Sequence, residues 1–173
     1  MKITKQWLEE KSACSSGVEW FENQKESDGV KVVEKLTKEK KLNWANWLIV
    51  RIMDYKQYVS YAVYAAEQVI DIYEKKYPKD KKPREAIEAA KKCIDNPSEE
   101  NKKAAAYAAA ADTAYAANAA AAAAGASAAY AAAAAGASAA AYAAAYVADA
   151  DAMKLKILNY GLKLLNPAQQ GKV

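Results

Sequence analysis

The sequence predicts an all-α protein: a compact multi-helix bundle or set of stacked helical hairpins, with an Ala/Tyr-rich C-terminal half. Three observations carry that expectation. No run of β-branched residues alternates with polar ones, and no Asn-Gly or Gly-Gly dipeptide marks a hairpin. Ala, the best helix former, occurs 43 times in 173 residues, and 34 of these fall between positions 104 and 152. Apolar residues elsewhere recur at steps of three and four, the spacing of a helical face. Leu, Ile, Val and Phe together number only 28, a share low enough to suggest disorder in a highly charged chain. The formal net charge is only +4, so Ala-rich helix is the better reading.

The elements follow in order. Short helices are expected at about 4–12 and 18–26, and Ser27-Asp28-Gly29 offers a cap for another at about 30–40. One long helix is expected from Asn43 to Tyr77, with Asn43 as N-cap and Pro78 as terminator. Within it Leu48, Ile52, Tyr55, Val59, Ala62, Ala66, Ile70, Tyr73 and Tyr77 trace one continuous face. At ~1.5 Å per residue such a rod would reach roughly 52 Å. Trp44, Tyr58, Tyr61 and Tyr64 lie off that seam, so the rod should be covered on more than one side. A charged turn over 77–82 leads to Pro83, a residue suited to a helix start. That helix is expected over Arg84 to Ile94 and ends at Asp95-Asn96-Pro97. Ser98 caps the next, with Glu99 and Glu100 favouring its positive end.

Composition changes after Lys103. Residues 1–103 hold 21 of the 25 basic and 18 of the 21 acidic side chains. The chain therefore divides into a charged part, 1–103, built on the long helix 43–77, and an Ala-rich part, 104–173, packed on it as one folding unit. Inside the second part Gly125 and Gly136, like Ser127 and Ser138, stand 11 residues apart, which is three turns at about 3.67 residues each. Close Ala/Tyr helix packing explains that repeat. An ice-binding face would need a Thr ladder, and the tract holds only Thr113, so ice binding ranks last. A final helix carries Tyr142, Tyr146, Ala150, Met153, Ile157, Tyr160 and Leu164 at steps of three and four, and Asn166-Pro167 ends it.

The chain has no His, which excludes imidazole catalysis and His-ligated metal. It has no phosphate-binding glycine loop, no Cys-x-x-Cys and no nucleophile elbow, so no enzymatic activity and no cofactor are expected. Cys14 and Cys93 read as two small buried thiols in a reducing cell. The first ten residues contain no apolar signal core, and the Ala tract lacks strong hydrophobes while carrying Asp112, Asn118, Asp149 and Asp151. A cytoplasmic location and no membrane span follow. Asp149 and Asp151 point to different faces, and Arg51 with Asp54 reads as a structural i,i+3 ion pair. The basic run Lys75, Lys76, Lys79, Lys81, Lys82 and Arg84 surrounds the helix start at Pro83 and, with Tyr77, forms a candidate anion or partner site. Net charge of +4 does not indicate nucleic-acid binding.

The segment Tyr77-Pro78-Lys79-Asp80-Lys81-Lys82-Pro83-Arg84-Glu85-Ala86-Ile87-Glu88-Ala89-Ala90 resembles the hallmark of an Ala-rich helical family of immunity proteins from bacterial toxin–immunity and prophage loci. Cys14, Trp20-Phe21 and Trp44-Ala45-Asn46-Trp47-Leu48 extend the resemblance from about Cys14 to Tyr160, with Lys82 standing where many members carry Arg. The resemblance implies a non-enzymatic antagonist that binds a protein target, by toxin immunity or phage anti-defence inhibition. Its surface would be the basic cluster or the Trp44–Trp47 end. The alternative is a sponge for a small anionic, nucleotide-type signal, held by the basic cluster or by a cleft of Tyr58, Tyr61 and Tyr64. A homo-oligomer is compatible with either reading.

Overall fold

A computed structural model describes residues 1–111 and 150–166, and every described element is helical apart from one isolated bridge between Lys2 and Asp28. The all-α expectation holds. The Gly125/Gly136 repeat and Tyr115, Tyr130, Tyr142 and Tyr146 lie outside the described residues.

Helices α1 (Lys5–Glu10) and α2 (Ser15–Glu22) form a short corner, and α2 begins three residues earlier than expected. Thr4 caps α1 by accepting from the Trp7 amide at 3.1 Å. Helix α3 (Gly29–Lys38) starts at Asp28, whose carboxylate accepts from Val30 and Lys31. Its end is a Schellman close: Lys41 N–H donates to Leu36 O at 2.9 Å and Lys40 N–H to Thr37 O at 3.1 Å. Lys40 takes the left-handed position, φ 57°, that glycine usually fills there.

The expected rod 43–77 is three helices. α4 spans Leu42–Ile49 with Lys41, not Asn43, at the N-cap; α5 spans Tyr55–Glu67; α6 spans Ile70–Lys76. The break between α4 and α5 has a local cause. Asp54 adopts an extended backbone, its carboxylate accepts from the Gln57 amide at 2.8 Å, and the Gln57 side chain accepts from the Asp54 amide at 3.0 Å. That reciprocal capping box starts a new helix inside an apolar run that would otherwise continue. The Arg51–Asp54 pairing expected from spacing is replaced: Asp54 caps, while Arg51 turns back onto Trp47. At Gln68–Val69 the chain slips again before α6, with Val69 donating to Ala66.

Pro83 sits in the first turn of α7 (Lys82–Asp95), and Ser98 accepts from Asn101 at the start of α8 (Glu99–Ala111), both as the sequence predicts. The last described helix, α9 (Ala150–Leu165), packs against α3, α4 and α5, while α7 packs between α5 and α8. Gly161 makes this possible: a Cβ there would stand 2.7 Å from Ile49 of α4 and 2.8 Å from the Tyr61 ring of α5. The core gathers Val33, Ile49, Val50, Val59, Tyr61, Ile87, Ile157 and Leu158, all at most 2% exposed. No described helix is long and apolar enough to cross a membrane.

Candidate functional site

The basic cluster and the tyrosines behave differently from the expectation. Arg84 is bound to α6: its Nε and Nη2 meet the two Glu74 carboxylate oxygens at 2.6 Å each, and Nη2 reaches Asp71 at 3.3 Å. This bidentate fork is the strong geometry for a guanidinium, and the Arg84 hydrogen bonds hold the Glu74 carboxyl below its ordinary value. Asp80 accepts from Tyr73 Oη at 2.9 Å and from the Lys82 amide at 3.1 Å, so a carboxylate of the chain already occupies a donor at the α7 start. Lys79, Lys81 and Lys82 are exposed, as is Tyr77, over whose ring Lys76 sits at 5.5 Å. The cluster is thus a braced turn with lysines at its rim.

The tyrosine cleft is not formed. Tyr61 is fully buried and donates to Asn46 Oδ1 at 2.6 Å, and Tyr58 is 7% exposed. Tyr64 stacks on Tyr160 of α9, with centroids 3.9 Å apart and planes within 9°. The physical reason is amphipathicity: a Tyr ring buries well wherever its hydroxyl finds a partner. The Tyr61 hydroxyl found one, and burial pushes its pKa up.

Trp44 and Trp47, by contrast, line a cavity of about 260 Å3 between α1, α2, α3 and α4. Leu8 and Ala13 of the α1 corner, Trp20 and Phe21 of α2, Val32 and Leu36 of α3, and Leu48 of α4 complete its apolar wall. Its polar groups are Ser12, Cys14 and Asn43. The rings are held in place from outside. Trp20 donates its indole N–H to Glu39 at 2.9 Å and lies 6.4 Å from Trp44, tilted by 57°. Lys41 sits 5.1 Å over Trp44; Arg51 covers Trp47 at 4.0 Å and donates to the Trp47 carbonyl at 2.7 Å. Half-buried, pre-positioned indoles beside an open apolar hollow are what a partner's side chain needs as an anchor point.

Cys14 corrects the expectation of two buried thiols. Cys93 is buried, but Cys14 is exposed at the N-cap of α2, on the wall of this pocket. The Ser16 hydroxyl, 3.6 Å from its sulfur, and the Gly17 amide lower its pKa, whereas burial raises that of Cys93. Trp20 and Phe21 entered the sequence reading only through the family resemblance, and Cys14 otherwise only as a thiol; no periodicity marked them, because they come from a short corner rather than a long face. Asp151 pairs with Lys154 at 3.6 Å on an exposed edge. Among the described residues no three His, Cys, Asp or Glu side chains gather as a metal site would require. No family model, curated protein or solved structure matches the chain.

Proposed function

We propose that the protein is a non-enzymatic antagonist that acts by docking a protein target on its α2–α4 end. One observation carries the reading: three half-buried tryptophans, Trp20, Trp44 and Trp47, surround an open apolar pocket of about 260 Å3. Trp is the residue most enriched where binding energy concentrates, and such anchors cluster in desolvated pockets. Its wall is apolar but for Ser12, Cys14 and Asn43, which suits a hydrophobic side chain presented by a protein. The resemblance of residues 77–90 supplies the setting: toxin immunity or phage anti-defence inhibition in the cytoplasm.

The test is affinity capture with tagged chains from cells carrying the neighbouring toxin or defence genes, paired with growth rescue. The wild-type chain should recover one stoichiometric partner and protect growth. Trp47→Ala should lose both. Asn43→Glu, on the exposed mouth of the pocket, should do the same without touching the core, so a folding defect cannot explain the loss. Retention of partner and rescue by both variants rejects the α2–α4 end as the docking surface.

A further inference from the structure

Asn43 and Trp44 line two hollows at once. Beside the apolar pocket lies a second depression of about 260 Å3, whose charged wall is Lys40, Lys41 and Lys154 against the single carboxylate of Asp151. Its balance is positive, and Asp151 is drawn to Lys154 at 3.6 Å. The lysine lip is rigid, because Lys40 and Lys41 are the two residues that close the Schellman turn ending α3. Lys40 holds φ 57°, a conformation that disfavours any side chain and that glycine would adopt freely.

We propose that the partner docks through a segment in which a large apolar residue stands within three positions of an Asp or Glu. The apolar side chain enters the tryptophan pocket, and the carboxylate meets Lys40 and Lys41 across the Trp44 wall. This rests on the docking reading above and gives it a chemistry. Charge complementarity selects an acidic neighbour, since cations at the rim steer an anionic segment and reject a basic one. The occupant is a peptide segment rather than a free small molecule, because an apolar hollow and a cationic one share the Trp44 wall and together suit adjacent side chains of one chain.

A displayed library of random nine-residue peptides, selected on the full wild-type chain, tests the pairing. The expected consensus is Leu, Phe or Trp with Asp or Glu within three positions. The best synthetic peptide, followed by fluorescence anisotropy, should bind about tenfold more weakly to Lys40→Gly. The same variant should melt at a higher temperature, since glycine relieves the left-handed backbone. A purely structural role for Lys40 cannot give weaker binding together with a more stable fold. Ala13→Phe, which fills the pocket, should abolish peptide binding while its helical circular dichroism is retained. An apolar consensus without acids, an empty selection, or Lys40→Gly binding at wild-type strength overturns the inference, and the Trp47 capture experiment is unaffected by any of them. 2-Naphthylacetate displacing the peptide at equal affinity would also overturn it, in favour of a free amphipathic anion.

Discussion

At the α6–α7 turn, charges answer one another; at the α2–α4 end, indoles and lysines face a hollow. Arg84 meets Glu74 through two 2.6 Å contacts, and Lys91 bridges Glu67 at 2.8 Å and Glu88 at 2.9 Å, so α6, α5 and α7 are clasped together. Around the pocket, Lys41 and Arg51 lie over Trp rings and no core fills the space the rings enclose. The contrast shows why density of charge along a sequence is a poor guide to a site. Carboxylates ten or more residues away take up Arg84 once the helices pack, and the cluster loses the one cation with a bidentate fork. The half-buried aromatics of α2 and α4 are braced at their edges by Glu39, Lys41 and Arg51 and still leave a hollow between them.

The sharpest way to break the comparison is to loosen the helix both regions lean on. Gly161→Val places branched carbons where even a Cβ would stand 2.7–2.8 Å from Ile49 and Tyr61. Overpacking of this kind costs about 1–3 kcal/mol, and urea denaturation should show it. Wild-type stability in that variant would mean α9 shifts freely, and the pocket walls with it. Tyr61→Phe removes the 2.6 Å bond to Asn46 and should cost about 1 kcal/mol by the same measurement. No loss would return Tyr61 to the list of candidate ligand-binding groups.

Smaller effects separate the two regions directly. Arg84→Gln should cost at most ~1 kcal/mol, since the fork is half exposed and screened. The sign with pH is fixed. Glu74 has its folded pKa held below the ordinary 4.5, so its contribution is present above that value and fades as pH falls through the folded one. The difference between wild type and Arg84→Gln should therefore be seen at pH 7 and vanish in acid; a difference that persists there would assign Arg84 a packing role instead. Lys81→Glu with Lys82→Glu should leave stability within about 0.5 kcal/mol and the helical circular dichroism unchanged. The smallest effect concerns the thiols. Iodoacetamide should modify Cys14 half-maximally below the pH of an ordinary thiol, Ser16→Ala should raise that midpoint, and Cys93 should react only after unfolding. Equal reactivity of both thiols in the native chain would contradict the pocket geometry.

Much of the fold was legible because punctuation residues act locally. Asp28-Gly29, Pro78, Pro83 and Ser98 set helix ends within a residue or two of their places. The break at Val50–Asp54 was not read, although its signal, Asp54 followed three residues later by Gln57, was present. Apolar periodicity ran through it, and a period does not report the extended residue that interrupts the ladder. Tyr58 and Tyr61 were read both as a covered side of the helix and as a ligand cleft; burial decides for the first, with the Tyr61 hydroxyl held by Asn46. The pocket was half legible. Trp44 stood out as a large side chain off the seam and Trp47 through the resemblance, while Cys14, Trp20 and Phe21 needed the tertiary corner to be seen beside them.

Trp7, Trp20, Trp44 and Trp47 are all the tryptophans the chain possesses. Three of the four border the pocket, and the fourth lies on α1. The molecule is therefore optically partitioned. Indole emission reports the first four helices alone, while the far-ultraviolet amide signal is weighted toward every helix in the chain. Melting followed at the two wavelengths asks whether the charged and Ala-rich parts give way together. Coincident curves mean that the pocket persists only as long as the whole chain is folded; an earlier indole transition means that the pocket end opens by itself, and that anything seated in the pocket would delay that opening.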